Sequence, residues 1–273
     1  MELTTLRSAH HKGRMPRTWG WAHLACAASI AGFSLWPANA FAGRRPFLLA
    51  YDTEIIPEGD VELEQWLWSE SKIPARPSVP ARYWIYWSPV FGMSNHVELL
   101  LPVQISASST STNLQMLSAE VRYRFFPREQ EGGFQALLRA SVHQTVFPRS
   151  TPSSAELGLA ASYGKASQLH LTVNVGLDAA LPWPEHLARP IILEYAAGAA
   201  YPIIGNELRL SAEFYGEIGL RETSDTVGRH FAGGAIAWTR GRVWITAGML
   251  FGLTGISDTT PRYMPRLIWA VAF

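Results

Sequence analysis

The sequence predicts an all-β fold, a transmembrane antiparallel β-barrel of about twelve strands. Three observations point there. Apolar and polar residues alternate with a period of two along most of the chain, as half-buried strands require. The first forty residues read as a removable export leader. The last strand, RLIWAVAF, ends on an aromatic, Phe273.

The leader comes first. Arg7, Lys12, Arg14 and Arg17 precede an apolar stretch, residues 21–36, and PANAFA (37–42) supplies Ala38-x-Ala40 and Ala40-x-Ala42. Basic, apolar, then small-x-small is the pattern of a cleavable secretory signal, and residues 1–42 are assigned to it. The stretch falls short of the ~20 residues of a membrane anchor. Cys26 is not placed as a lipid-attachment cysteine, because His23 stands where an aliphatic residue is needed. Cleavage after Ala42 removes Cys26, the chain's one cysteine. That excludes disulfides and cysteine-based metal sites, and suits an oxidising compartment.

Residues 43–59 are expected to form a periplasmic lead-in, and 60–273 the barrel. Strands are expected to start near 60, 81, 95, 114, 133, 154, 167, 190, 206, 229, 241 and 263. The clearest is SQLHLTVNVGLD (167–178), with Leu169, Leu171, Val173, Val175 and Leu177 on one face. In 95–105, Val97, Leu99, Leu101, Val103 and Ile105 oppose Glu98 and Gln104, although Pro102 interrupts the run. Pro102 and Pro89 each remove a ladder donor, so a bulge is expected there. In 117–125, Leu117, Val121, Tyr123 and Phe125 oppose Glu120, Arg122 and Arg124. FAGGAIAW, 231–238, is the weakest strand, since its faces barely differ. No stretch after the leader reaches the length of a membrane helix; the nearest is 243–256, punctuated by glycine.

The connections alternate. GKAS (164–167) and TRGR (239–242) are tight, whereas 71–81, 106–113, 148–154, 182–190, 221–229 and 255–262 are longer and richer in Pro, Ser and Thr. With the N-terminus in the periplasm, the long ones all lie outside, as in outer-membrane barrels. PREQEGG (127–133) and YPIIGN (201–206) are longer than periplasmic turns usually are. A soluble sandwich also alternates, but its polar face should be rich in charge; here much of it is Ala, Gly, Ser or Thr. Aromatics also gather near strand ends, as girdles do: Tyr83, Trp84, Tyr86 and Trp87; Tyr123, Phe125 and Phe126; Tyr163, Tyr195, Tyr201, Trp238, Trp269 and Phe273. The 11 tryptophans and a net charge of only +1 suit a lipid interface and give no sign of a nucleic-acid partner.

The final strand resembles the terminal strand of Gram-negative outer-membrane barrels, through Leu267, Trp269, Val271 and Phe273. The resemblance implies recognition by the barrel-assembly machinery and contact with outer-membrane lipid. AYDTEIIPEGDVELEQWLW (50–68) resembles the start of an uncharacterised family of proteobacterial outer-membrane barrels, through Asp52, Thr53, Glu54, Pro57, Gly59, Glu62, Glu64 and Trp66. That family is in turn similar to transporter- and porin-like barrels encoded near aromatic-degradation genes.

Strand parity collects charge on the inner face. Glu62, Glu64, Glu98, Glu120, Glu156, Asp178, Glu194, Glu213 and Glu217 stand against Arg122, Arg124, Arg139, Arg209 and Arg242, with His143 and His170. Such a lining is either a pore wall that selects a small solute or an ion-pair network that fills a narrow barrel. Pairs are expected between Glu120 and Arg122 or Arg124, and between Arg209 and Glu213. An open pore would mildly favour cations. Ser141 and His143 share the inner face, and a hydroxyl beside an imidazole is the start of acyl-transfer chemistry. The order and facing differ from barrel phospholipases, and no G-x-S-x-G elbow, H-E-x-x-H or phosphate loop occurs. The expectation is therefore a passive pore with no cofactor or metal. The alternatives are a closed barrel acting through its loops and a lipid-modifying enzyme. Asp225 and Asp258 are loop carboxylates able to meet Ca²⁺ but ordinarily solvated.

Overall fold

The computed structural model describes residues 45–70, 82–108, 111–126, 133–148, 153–164, 168–181, 191–205, 207–220, 228–254 and 262–273. The signal and its cleavage point lie outside these residues, as do Asp225, Asp258 and most of the longer connections.

Thirteen strand segments follow in chain order: β1 Val61–Glu70, β2 Arg82–Gly92, β3 Val97–Leu100, β4 Val103–Ala107, β5 Thr112–Arg124, β6 Phe134–Thr145, β7 Ser154–Tyr163, β8 His170–Ala180, β9 Ile191–Ile204, β10 Leu208–Gly219, β11 Arg229–Arg240, β12 Val243–Thr254 and β13 Tyr263–Ala272. Except for β3 and β4, which each pair with β2 and β5, the segments pair antiparallel with their sequence neighbours, and β1 pairs with β13 from Glu62↔Ala272 to Trp68↔Arg266. The Phe273 amide donates to the Val61 carbonyl at 2.8 Å and completes the seam. Both β3 and β4 lie between β2 and β5, so they are two halves of one stave. The barrel has twelve staves and is closed. Closure leaves no unpaired edge, which is the condition for strands in lipid.

Each stave begins within three residues of its expected start. Pro102 divides the third, as its missing N–H requires, and the bulge lies on the partner strand: Gln104 faces Met116 and Ile105 faces Leu114, leaving Gln115 between them. Two connections depart from expectation. Residues 201–204 complete β9 instead of forming a long turn, and the loop between β4 and β5 is short, closed by the Ser108 amide donating to the Ser111 carbonyl at 2.8 Å.

The facing follows the alternation. On β8, Leu171, Val173, Val175 and Leu177 are exposed on the outside, while His170 and Thr172 are buried. Leu157, Leu159, Leu210, Ile236, Met249 and Phe251 extend the outer apolar surface around the barrel. At the end where β1 begins and β13 ends, the terminal end, Tyr123, Phe125, Phe134, Tyr163, Tyr201 and Phe273 ring the outside as an aromatic girdle. Trp84 and Tyr86 do not belong to a girdle. Their parity turns them inward, against Trp68 and Trp66.

Residues 45–57 are not a lead-in beneath the barrel. They run through its interior. Phe47 and Ala50 pack on Ala196 and Ala200, Leu48 on Phe231 and Leu250, Ile55 on Leu137 and Ala160, and Ile56 on Val90 and Leu100. The physical reason is in the composition: Phe-Leu-Leu-Ala and Ile-Ile are apolar and find apolar inner-face partners. The segment joins β1 through a turn in which the Asp60 amide donates to the Pro57 carbonyl at 3.2 Å, and Gly59 supplies the positive φ of +83°.

Candidate functional site

The interior has two halves. The inserted segment occupies the terminal half. It adds no strand of its own, so its backbone polar groups need partners from the wall. Glu213 serves three successive amides, those of Leu48, Leu49 and Ala50, at 2.7, 2.9 and 3.0 Å. Asn174 takes both polar groups of Tyr51, accepting from its amide at 2.6 Å and donating to its carbonyl at 2.8 Å. The Thr172 hydroxyl donates to the same carbonyl at 2.8 Å, and Glu98 accepts from the Ile56 amide at 2.8 Å. Ser211 and Thr246 donate to the carbonyls of Pro46 and Arg45 at 2.6 and 2.5 Å.

Charge is matched in the same half. Arg45 meets Glu64 at 2.8 Å and Glu98 at 3.9 Å. Arg122 bridges Glu98 and Glu120 at 2.9 and 2.5 Å, and Arg139 stands between Glu120, at 3.6 Å, and Glu156, which it binds closely. The result is one ladder of alternating sign across β1, β3, β5, β6 and β7. Tyr51 lies against it, its ring 3.8 Å from the Arg139 guanidinium and its hydroxyl accepting from Arg139 at 3.0 Å. Burial pushes the Tyr51 phenol up to about 12, against the pull of Arg139, so it stays neutral. Asp52 reaches His170 at 2.9 Å and accepts from Ser162 at 3.1 Å and the Thr53 amide at 2.6 Å. Burial alone would raise its carboxyl. The His170 charge and these hydrogen bonds outweigh burial and hold it below the usual carboxylate range.

The sequence-predicted lining residues thus separate by role. Glu64, Glu98, Glu120, Arg122, Arg139, Glu156 and His170 join in ion pairs. Glu120 pairs with Arg122 as expected, but Arg124 binds Gln135 at 3.2 Å, and Glu213 holds the inserted backbone. Glu62 accepts from the Trp244 indole at 3.1 Å. Arg209 is buried on the same interior face, and Arg242 stands at the start of β12.

In the other half Leu48 still covers Phe231 and Leu250, and two stretches of the inner face keep part of their exposure. Asp178, Glu194 and Glu217 form an acidic row beside Glu156, with Glu156 opposite Asp178 and Glu194 opposite Glu217 in the strand register. Arg229 neutralises Glu217 at 2.8 Å. About half a turn around the barrel, Trp66, Trp68, Trp84 and Tyr86 make an aromatic wall. Trp68 and Trp84 stack at 5.8 Å, Trp68 and Tyr86 at 4.9 Å. Arg266 lies over the Trp66 and Trp68 rings at 5.3 and 5.2 Å. Sequence reasoning missed this wall and the inserted segment. Parity with Glu62 and Glu64 already assigns Trp66 and Trp68 to the inner face, whereas Trp84 and Tyr86 were expected in a girdle from their place near a strand end.

Ser141 and His143 do meet, with Oγ 3.0 Å from Nε2. The other imidazole nitrogen contacts the Ser118 hydroxyl at 2.8 Å, and Glu156, engaged by Arg139, lies 3.6 Å from His143 Nε2 and accepts from Ser141 Oγ at 3.4 Å. Among the described residues no three His, Cys, Asp or Glu side chains are grouped as metal ligands would be.

No family model and no curated protein matches this sequence. Solved structures do match in fold. The NanC porin superimposes with a TM-score of 0.56 at 9% identity, over 77% of this chain and 98% of its own. An outer-membrane channel from Pseudomonas putida F1 gives 0.56 at 12% identity, over 83% of this chain and 100% of its own. The KdgM porin gives 0.50 at 8% identity, over 78% and 99%. This chain has the fold of an outer-membrane channel. In a barrel of this fold the terminal end is the periplasmic end.

Proposed function

We propose that the barrel is a passive pathway for a small solute across the outer membrane, narrowed on the periplasmic side by residues 45–57. One observation carries this reading. Toward the outer end, the inner-face residues Trp68, Trp84, Asp178, Glu194 and Glu217 are half-buried, whereas Glu62, Glu64, Glu98 and Glu120 in the periplasmic half are 1–6% exposed. The outer half is a wet, polar vestibule, and the inserted segment is the constriction beneath it. The acidic row on β7–β10 makes the vestibule cation-leaning for small ions. Planar-bilayer recording of the chain from residue 43 tests the reading. Discrete conductance steps with a cation-leaning reversal potential support it; a folded barrel that passes no current contradicts it.

A second reading is favoured by the completeness of the ion ladder: a sealed barrel that works through its outer loops. It expects silence from the intact chain under every voltage. No catalytic step belongs to either reading. Ser141 and His143 are read as lining, and a lipid-hydrolysing activity lost in Ser141→Ala would overturn that. Leu267, Trp269, Val271 and Phe273, all facing out on the seam strand, are read as the signal for the assembly machinery.

A further inference from the structure

Three of the buried arginines are held by acceptors. Arg122 and Arg139 have carboxylates, and Arg124 has Gln135. Arg266 differs. It is 8% exposed, yet among the described residues it has no carboxylate within ion-pair reach, and its Nε has no hydrogen-bond partner. Its contacts are the indole faces of Trp66 and Trp68. Such contacts offset only part of the cost of removing a guanidinium from water, because they satisfy none of its N–H donors. A guanidinium presents a planar fork shaped for a carboxylate. Beside it lie flat apolar faces, Trp68, Trp84 and Tyr86, turned inward and only half covered.

We propose that Arg266 and the Trp66–Trp68–Trp84–Tyr86 wall form a binding site for an organic anion with a flat apolar body, an arene carboxylate being the simplest member. The carboxylate takes the open N–H donors of Arg266, and the ring lies along the indoles. An acidic sugar shares the carboxylate and a flat face but needs hydrogen bonds for its hydroxyls. On this wall the Trp66 indole N–H is already given to Glu64 at 3.0 Å, and the titration below separates the two kinds of anion. The acidic row stands across the vestibule from Arg266, so the anion is directed to one wall.

This inference deepens the reading of the barrel as a solute pathway and rests on it. Its test is therefore equilibrium binding, which needs no ion flux: silence in the bilayer would sink the pathway, and the binding result stands separately. The probe is benzoate, titrated calorimetrically into the full chain in detergent, with benzyl alcohol, acetate and glucuronate beside it. Saturable benzoate binding is expected, weakened about tenfold or more in Arg266→Gln and partly restored in Arg266→Lys. Trp68→Leu should weaken benzoate and leave acetate unchanged. Heat-modifiable migration confirms that each variant is folded. Three results would overturn the inference. Benzoate bound equally by wild type and Arg266→Gln removes the cation. Benzyl alcohol equal to benzoate removes the carboxylate. Acetate or glucuronate equal to benzoate removes the apolar body.

Discussion

At the residue scale, the inserted segment depends on a few side chains that complete its backbone. Glu213 is the heaviest contributor, since its loss leaves three amides without an acceptor. Glu213→Ala should weaken the seat of the segment by on the order of 1–3 kcal/mol, the cost of an unmet hydrogen bond to a charged group. A cysteine at Leu49, in a chain begun at residue 43 and so without Cys26, would report this as faster modification by a soluble thiol reagent. Unchanged modification would show that Glu213 does not hold the segment. Asp52 adds a pH dependence of defined sign. Its carboxyl is held below the ordinary range in the folded chain, so its contribution is complete above the unfolded value and is lost as pH falls through the folded one. The rate at Leu49→Cys, divided by that of a free thiol at the same pH because only the thiolate reacts, should therefore rise in acid, and Asp52→Asn should flatten that dependence. These residues were hard to read from sequence. Asp52 and Tyr51 stand outside any periodic run, and their wall partners Arg139, His170 and Asn174 are 88, 118 and 123 positions away.

At the element scale, strands were legible because period-two patterning and lipid exposure make the same demand. On β8 the inner and outer sets differ so plainly that the stave could be drawn from residues 167–178 alone. The facing is testable. Val175→Arg, on the outer face at the middle of β8, should cost about 2–4 kcal/mol in folding titrations into lipid vesicles. Asp178→Arg, on the half-exposed inner face beside Glu156, should cost far less; equal costs would contradict the facing. Thr172 is a poor inner-face control, because it is 2% exposed beneath Tyr51. The seam carries its own prediction. Phe273 places its amide on Val61, so deleting it removes a closing hydrogen bond and the outer aromatic together. Assembly should fall, read as loss of heat-modifiable migration in membranes. What the strand pattern could not convey was the fate of residues 45–57. They lack alternation, and a non-alternating segment before a barrel reads equally well as lying beneath it.

At the scale of the whole molecule, the barrel combines a wall that the sequence prescribes with a filling that it only permits. The charged inner face admitted two readings, a pore lining or a packed network, and the proposed function uses both: the ion pairs as packing and the acidic row as lining. Ion pairs and the inserted segment pack the periplasmic half, while acidic and aromatic surfaces stay open to water in the outer half. The interior glycine Gly198 couples wall and filling. A Cβ there would come within 2.5 Å of the Phe47 ring, so Gly198→Val should unseat the segment without touching an ion pair. Conductance of that variant should exceed wild type, and an equal value would place Phe47 outside the constriction.

The most direct measurement is single-channel conductance of two chains in the same bilayer, one starting at residue 43 and one lacking residues 45–57, each shown to be folded by heat-modifiable migration. A segment that narrows an open pathway predicts discrete steps in both and a several-fold larger step after the deletion. Equal conductance in the two would contradict the constriction, and silence in both would contradict the pathway itself.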